Sequence, residues 1–162
     1  MRYIFLIISM IVFGFTGYSQ KSSDLSFLKD TVRIPKENKV LDSEYLITTL
    51  KNGSTVQLIK SSNNKFYLRL CTTENLYFGK TDLMEIRSGS KNFYAKETTN
   101  YEIGKNSGYY IIEIYKNYIA TLRDEGITAY AFGKAVTSFT KQDCNQVKQM
   151  AKVFYENFWA KK

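Results

Sequence analysis

From residue 44 onward, apolar and polar residues alternate in short runs separated by turn residues. Segments 45–50 and 55–60 flank Asn52-Gly53, the dipeptide that most favours a two-residue hairpin, because both residues accept positive φ in a type I′ turn. After a turn at 61–64, segment 65–71 places Phe66, Leu68 and Leu70 in one phase and Tyr67 and Arg69 in the other. Met84 and Ile86 alternate with Glu85 and Arg87 over 82–88. Tyr110, Ile112 and Ile114 alternate with Glu113 over 109–115. Further strand-like segments fall at 76–78, 92–97, 118–123, 127–132 and 135–139. About eight to ten strands at turn spacings of roughly 8 to 12 residues predict a mainly β antiparallel barrel or sandwich, not parallel βαβ units.

The period changes once, near the end of the chain. Cys144, Val147, Met150, Ala151, Phe154 and Phe158 recur at three- and four-residue steps, which predicts an amphipathic helix over about 141–160. Thr140 followed by Asp143 is a capping-box signal, and Phe139 with Cys144 occupy the positions of a hydrophobic staple. Trp159, next to the apolar stripe, is expected to anchor the helix in the core. Strands closed by such a helix resemble, in layout, the pleckstrin-homology-like (PH-like) barrels and the lipocalin-like barrels. The Gly-x-Trp signature of lipocalins is missing, since Trp159 is the only Trp. A shared layout implies a barrel with a helix and does not fix a function.

The N-terminus carries a different pattern. Met1-Arg2 precedes an apolar run from Tyr3 to Phe15, and Thr16-Gly17-Tyr18-Ser19 ends it with small and polar residues. The run is shorter than the roughly twenty residues a spanning helix needs. It predicts a secretory signal peptide over 1–19, cut between Ser19 and Gln20, rather than a retained anchor. Residues 20–42 are polar, hold the only Pro (Pro35), and read as a mobile start followed by an irregular extended segment. Leu25, Phe27 and Leu28 could dock on the single β-rich domain expected over 43–162. The mature chain is expected in the periplasm or outside the cell, with no transmembrane segment.

Composition narrows the function classes. Hydrophobic residues at 44% exclude wholesale disorder. The net charge of +8 is scattered, with no run of cations beyond short pairs, so the basic balance does not predict a nucleic-acid partner for an exported domain. There is no His, which removes Ser-His-Asp and Cys-His catalysis and His-ligated zinc. Two cysteines, Cys71 and Cys144, are a candidate disulfide in an oxidising compartment, or else two small buried apolar side chains.

Three chemistries survive the loss of His. Ser88-Gly89-Ser90-Lys91 matches the Ser-x-x-Lys spacing, but on a turn between strands rather than on a helix. Glu85, Glu97, Glu102 and Glu113 fall on outward strand phases, which accounts for them without a catalytic carboxylate pair. Asp124-Glu125 supplies too few oxygens for a hard cation. No catalytic residue, metal or cofactor is therefore predicted.

What remains is surface. Tyr67, Tyr109 and Tyr115 share a strand phase with Arg69 or Glu113, so Tyr67, Arg69, Tyr109 and Tyr115 are the candidate binding residues. The expectation is a non-enzymatic exported binding domain that recognises an unidentified protein or envelope glycan through an aromatic-rich β face. The alternatives are a carrier of a small apolar ligand inside a barrel and, more remotely, a hydrolase without His.

Overall fold

The computed structural model describes residues 25–34, 39–72, 84–89, 91–95, 100–103, 108–132 and 135–160. The predicted signal peptide and the segment at 76–78 lie outside them. The elements in chain order are β1 (Leu28–Ile34), β2 (Lys39–Thr49), β3 (Thr55–Ser61), β4 (Phe66–Thr72), β5 (Met84–Ser88), β6 (Lys91–Ala95), β7 (Asn100–Ile103), β8 (Gly108–Ile114), α1 (Lys116–Glu125), β9 (Ala129–Phe132), β10 (Ala135–Ser138) and α2 (Lys141–Phe158). The chain is mainly β. One antiparallel sheet has the order β1-β2-β3-β4-β8-β7, the other β10-β9-β5-β6. Among the described residues no ladder joins the two sheets or closes either on itself.

Two successive hairpins build the centre of the larger sheet with the same turn. In the first, the Gly53 amide donates to the Leu50 carbonyl at 2.9 Å and the Leu50 amide to the Ser54 carbonyl at 2.8 Å. In the second, the Asn64 amide donates to the Ser61 carbonyl and the Ser61 amide to the Lys65 carbonyl, both at 3.0 Å. Each turn ends on one residue of positive φ, Gly53 at 84° and Asn64 at 61°. Gly and Asn are the residues that tolerate this conformation. The first turn therefore differs from the predicted type I′, since Asn52 is not in the left-handed region. Its side chain instead accepts from the Ser54 amide at 3.0 Å, as Asn63 does from Lys65 at 3.2 Å.

The strand phases sort the side chains as predicted. Leu46, Val56, Leu58, Leu68, Leu70, Tyr110 and Ile114 face one core, which they share with Met84, Ile86 and Tyr130 of the smaller sheet and with both helices. Phe66 and Ile112 lie in the same phase, half-buried against it. The other face of the large sheet is not simply solvated. Val32 and Ile34 of β1 are 2% and 0% exposed and form a second cluster with Ile59, Tyr67 and Ile111. Val32 and Ile34 thus pack with residues of β3, β4 and β8, so β1 contributes to the cover of this face. Part of the segment read as irregular, 28–34, is thus a paired strand, in register with β2 from Leu28↔Tyr45 to Ile34↔Lys39. Leu25 and Phe27 dock on the first core, and Leu28 stays exposed.

The segment 118–123, expected as a strand, is the body of α1. Its Tyr, Ile and Thr content favours a strand by propensity. Tertiary packing overrides that preference, because Ile119 and Leu122 lie one helical turn apart and both are buried. Helix α1 stops at Gly126, whose φ of 73° and ψ of −162° fall in a region open essentially only to Gly. A Cβ there would lie 2.6 Å from both the carbonyl oxygen and the Sγ of Cys144. The absence of a side chain is what lets the end of α1 meet the first turns of α2.

Helix α2 follows its prediction closely. Thr140 and Asp143 form the full capping box, and Val147, Met150, Ala151 and Phe154 are buried. Asp143, 5% exposed, does more than cap: its second carboxylate oxygen accepts from the Lys51 amide at 2.9 Å and ties the first hairpin to the helix N-terminus. At the other end Trp159 anchors the helix, its ring 4.3 Å from that of Phe66, beside Phe154 and Phe158.

Gly126→Ala is expected to destabilise the fold by about 3 kcal/mol, from backbone strain and overpacking together. A urea titration with an unchanged midpoint would contradict the role given to this crossing. Asp143→Ala removes a cap and strands the Lys51 amide, at an expected cost of about 2 to 4 kcal/mol by the same measurement.

Candidate functional site

Arg69 sits in the middle of β4, in register with Gln57 of β3 and Ile111 of β8. Its Nε donates to Gln57 Oε1 at 2.5 Å, and its guanidinium carbon lies 5.5 Å from the centre of the Tyr109 ring. Gln57 is buried, whereas Arg69 and Tyr109 are half-buried. The remaining N–H donors of Arg69 have no hydrogen-bond partner among the described residues. An Arg held by a buried amide and set over an aromatic ring at cation–π distance has lost much of its rotamer freedom before any ligand arrives. It offers a planar fork of donors matched to a carboxylate, sulfate or phosphate.

Of the four candidate residues, the structure brings Arg69 and Tyr109 together. Tyr67 has the expected phase but the outward reading fails: it is 2% exposed and packs in the second cluster, because β1 covers that part of the face. Tyr115, 60% exposed, stands on a different surface, at the start of α1, with its ring 6.2 Å from Tyr118, which in turn stacks on Phe93 at 4.6 Å. Gln57 was not singled out from the sequence. Counting back across the Ser61–Asn64 turn would have placed it opposite Arg69.

The cysteines do not pair. Cys71 lies on the Arg69 face of β4, facing Tyr109 and Thr55 in register, whereas Cys144 lies on α2 against the opposite face. The large sheet separates them, and both thiols are free. The Cys144 thiol donates to the Glu125 carbonyl at 3.3 Å. Burial pushes its pKa above the ordinary thiol value, against a smaller opposing pull from Lys148.

The remaining polar candidates have structural partners. Ser88 is fully buried and donates its hydroxyl to the Gly126 carbonyl, and it faces Lys91 across a tight hairpin. Glu85 is engaged by Arg87 at 3.1 Å, and Glu113 by Lys65 at 2.9 Å. Asp124 is held below its ordinary carboxylate pKa by its hydrogen bond to Arg123. Glu97 and the side chain of Glu102 lie outside the described residues. Among the described residues no cluster of three or more His, Cys, Asp or Glu could hold a metal ion.

Two spaces bear on these readings, beside a smaller cleft between the first hairpin and the start of α2. The apolar gap bounded by Val56, Leu68, Leu70, Ile86, Ile127, Tyr130 and Phe139 is too small for a water molecule. An open groove of about 450 Å³ runs along β1, β2 and β3.

No protein-family model matches this chain, and neither a curated protein nor a solved structure matches it.

Thiol titration of the unfolded chain without reductant is expected to find two free thiols; none would restore the disulfide. In the folded Cys71→Ser variant at pH about 8, alkylation of Cys144 should run roughly tenfold or more slower than in the unfolded variant, since burial disfavours its thiolate.

Proposed function

We propose that the chain is an exported, non-enzymatic binding domain whose recognition face is the strand surface around Arg69 and Tyr109. The partner is a protein or an envelope glycan that presents an acidic group. The observation carrying this reading is the preset guanidinium: Gln57 holds one edge, the Tyr109 ring lies within cation–π distance, and donors are left for a ligand. Export rests on the layout of residues 1–19.

In this reading the curled sheet, the smaller sheet and α2 make an open barrel of PH-like layout. That arrangement suits recognition at a surface better than carriage inside. The carrier alternative needs interior room, and the tight packing around Val56, Leu68, Ile86 and Tyr130 speaks against it.

The test is capture of partners from the cell's own envelope fraction by tagged mature protein. Arg69→Ala is expected to lower retention by roughly tenfold, and Arg69→Lys to restore it only in part, because an ammonium lacks the planar fork. Tyr109→Ala should weaken it less, and Tyr115→Ala should leave it unchanged. Equal retention by Arg69→Ala and the parent, with matching thermal melts, would overturn the proposal.

A further inference from the structure

The groove along β1, β2 and β3 belongs to the face of the sheet opposite Arg69. Register settles which side chains share its floor. Lys29, Glu44 and Lys60 form one row across the three strands, since Lys29 pairs with Glu44 and Glu44 with Lys60. Thr31 and Asp42 form the next row, and Ser62 stands just beyond Ser61, its amide donating to the Asp42 carbonyl at 2.7 Å. Lys60 faces Phe66 across the β3–β4 ladder, and its ammonium lies 5.3 Å from the Phe158 ring. Lys60 thus joins one end of the groove to the aromatic cluster of Phe27, Phe66 and Phe158, which does not itself line it.

We infer that this groove is a binding site for a neutral saccharide of one or two rings. Three features carry the inference together. The first is size and shape, since about 450 Å³ in an open trough lies in the range of small-ligand sites and suits a short, hydroxylated ligand. The second is the lining: Asp30, Asp42 and Glu44 oppose Lys29 and Lys60, with Thr31, Ser43, Ser61 and Ser62 among them. On the floor itself Asp42 and Glu44 balance Lys29 and Lys60, since Asp30 lies in the opposite phase with Ser43 and its Oδ1 accepts from the Thr31 amide, so the trough does not select an ion. It alternates acceptors with donors, and vicinal hydroxyls, each both donor and acceptor, satisfy both.

The third feature is what is left unmade. Glu44 is drawn to Lys29 at 3.9 Å, with Lys29 exposed and Glu44 half-buried. Lys60 rests over an aromatic ring rather than on a carboxylate. Among the described residues, the Asp42 carboxylate and the side-chain hydroxyls of Thr31 and Ser62 make no hydrogen bond or ion pair. By contrast, the buried Ser43 and Ser61 hydroxyls, in the opposite phase, donate to the backbone carbonyls of Asp30 and Lys65 at 2.9 Å and are not available to a ligand.

The inference is independent of the Arg69 reading, and the test separates them. The ¹⁵N-labelled protein is titrated with cellobiose and, separately, with N,N′-diacetylchitobiose, each up to about 50 mM, a range that detects weak single-site binding. At least one sugar is expected to give saturable amide shifts centred on Thr31, Asp42, Glu44, Lys60 and Ser62. Asp42→Asn combined with Glu44→Gln should weaken that response at least roughly tenfold with an unchanged melt, since both side chains reach solvent. Lys60→Met should weaken it separately, and Arg69→Ala should leave it as it is. No saturable shift with either sugar, shifts centred on Arg69 and Tyr109, or a response unchanged in the double variant would each overturn the proposal. So would a lysine-containing tripeptide that binds the groove while neither sugar does.

Discussion

The close approach of α1 and α2 at Gly126 holds the two halves of this fold together. Three unrelated contacts converge there. The Gly126 amide caps α1 by donating to Leu122, its carbonyl accepts from buried Ser88 of the smaller sheet, and its Cα faces the backbone of Cys144 in α2. The next residues continue the link: Thr128 donates to the Arg87 carbonyl through both its amide and its hydroxyl, and Phe139 donates to Thr128. Among the described residues the sheets share no ladder, and the helices and this junction join them. A side chain at 126 would push α2 away and open the core that both sheets line.

Asp143 performs the matching task for the larger sheet. One carboxylate caps the helix it begins and anchors the hairpin at Lys51. With α2 fixed at its N-terminus by a hydrogen-bonded charge and at its C-terminus by stacked rings, the sheet is covered over one face and ends beyond Phe158 in an open groove. Among the described residues, its opposite face is covered where β1 packs on it. The exposed part of that face is where Arg69 and Tyr109 stand. Both candidate binding surfaces thus arise from the same circumstance: the cover on each face of the large sheet is shorter than the sheet.

Much of the fold was legible because strand and helix periods are local properties. The phases of Phe66-Leu68-Leu70, Met84-Ile86 and Tyr110-Ile112-Ile114 follow from alternation alone, and the Thr140–Asp143 cap needs only four residues. The failures share a cause too. The segment at 118–123 has strand-like residues, and only burial of Ile119 and Leu122 against α2 and the core makes it helical. Segment 28–34 is polar because one side of β1 faces solvent, and its pairing with β2 is invisible without the register. Of the candidate site, Arg69 and Tyr109 could be proposed from phase. Tyr67 could not be separated from them, since what buries it lies 33 to 35 residues earlier in the chain.

By itself, the sequence determined the elements whose signal is periodic or terminal: most strands, the places of the two hairpin turns, helix α2 and its cap. It also determined the chemistry that the chain lacks, because a side chain that is absent cannot be supplied by folding. The tertiary structure alone decided which faces stay open. It put Cys71 and Cys144 on opposite sides of a sheet, closed β1 over Tyr67, set Gln57 against Arg69 and left a polar trough beside Phe158. These depend on the curl of the sheet and on the crossing of two helices, which are sums over many distant contacts and leave no mark on any short stretch of chain.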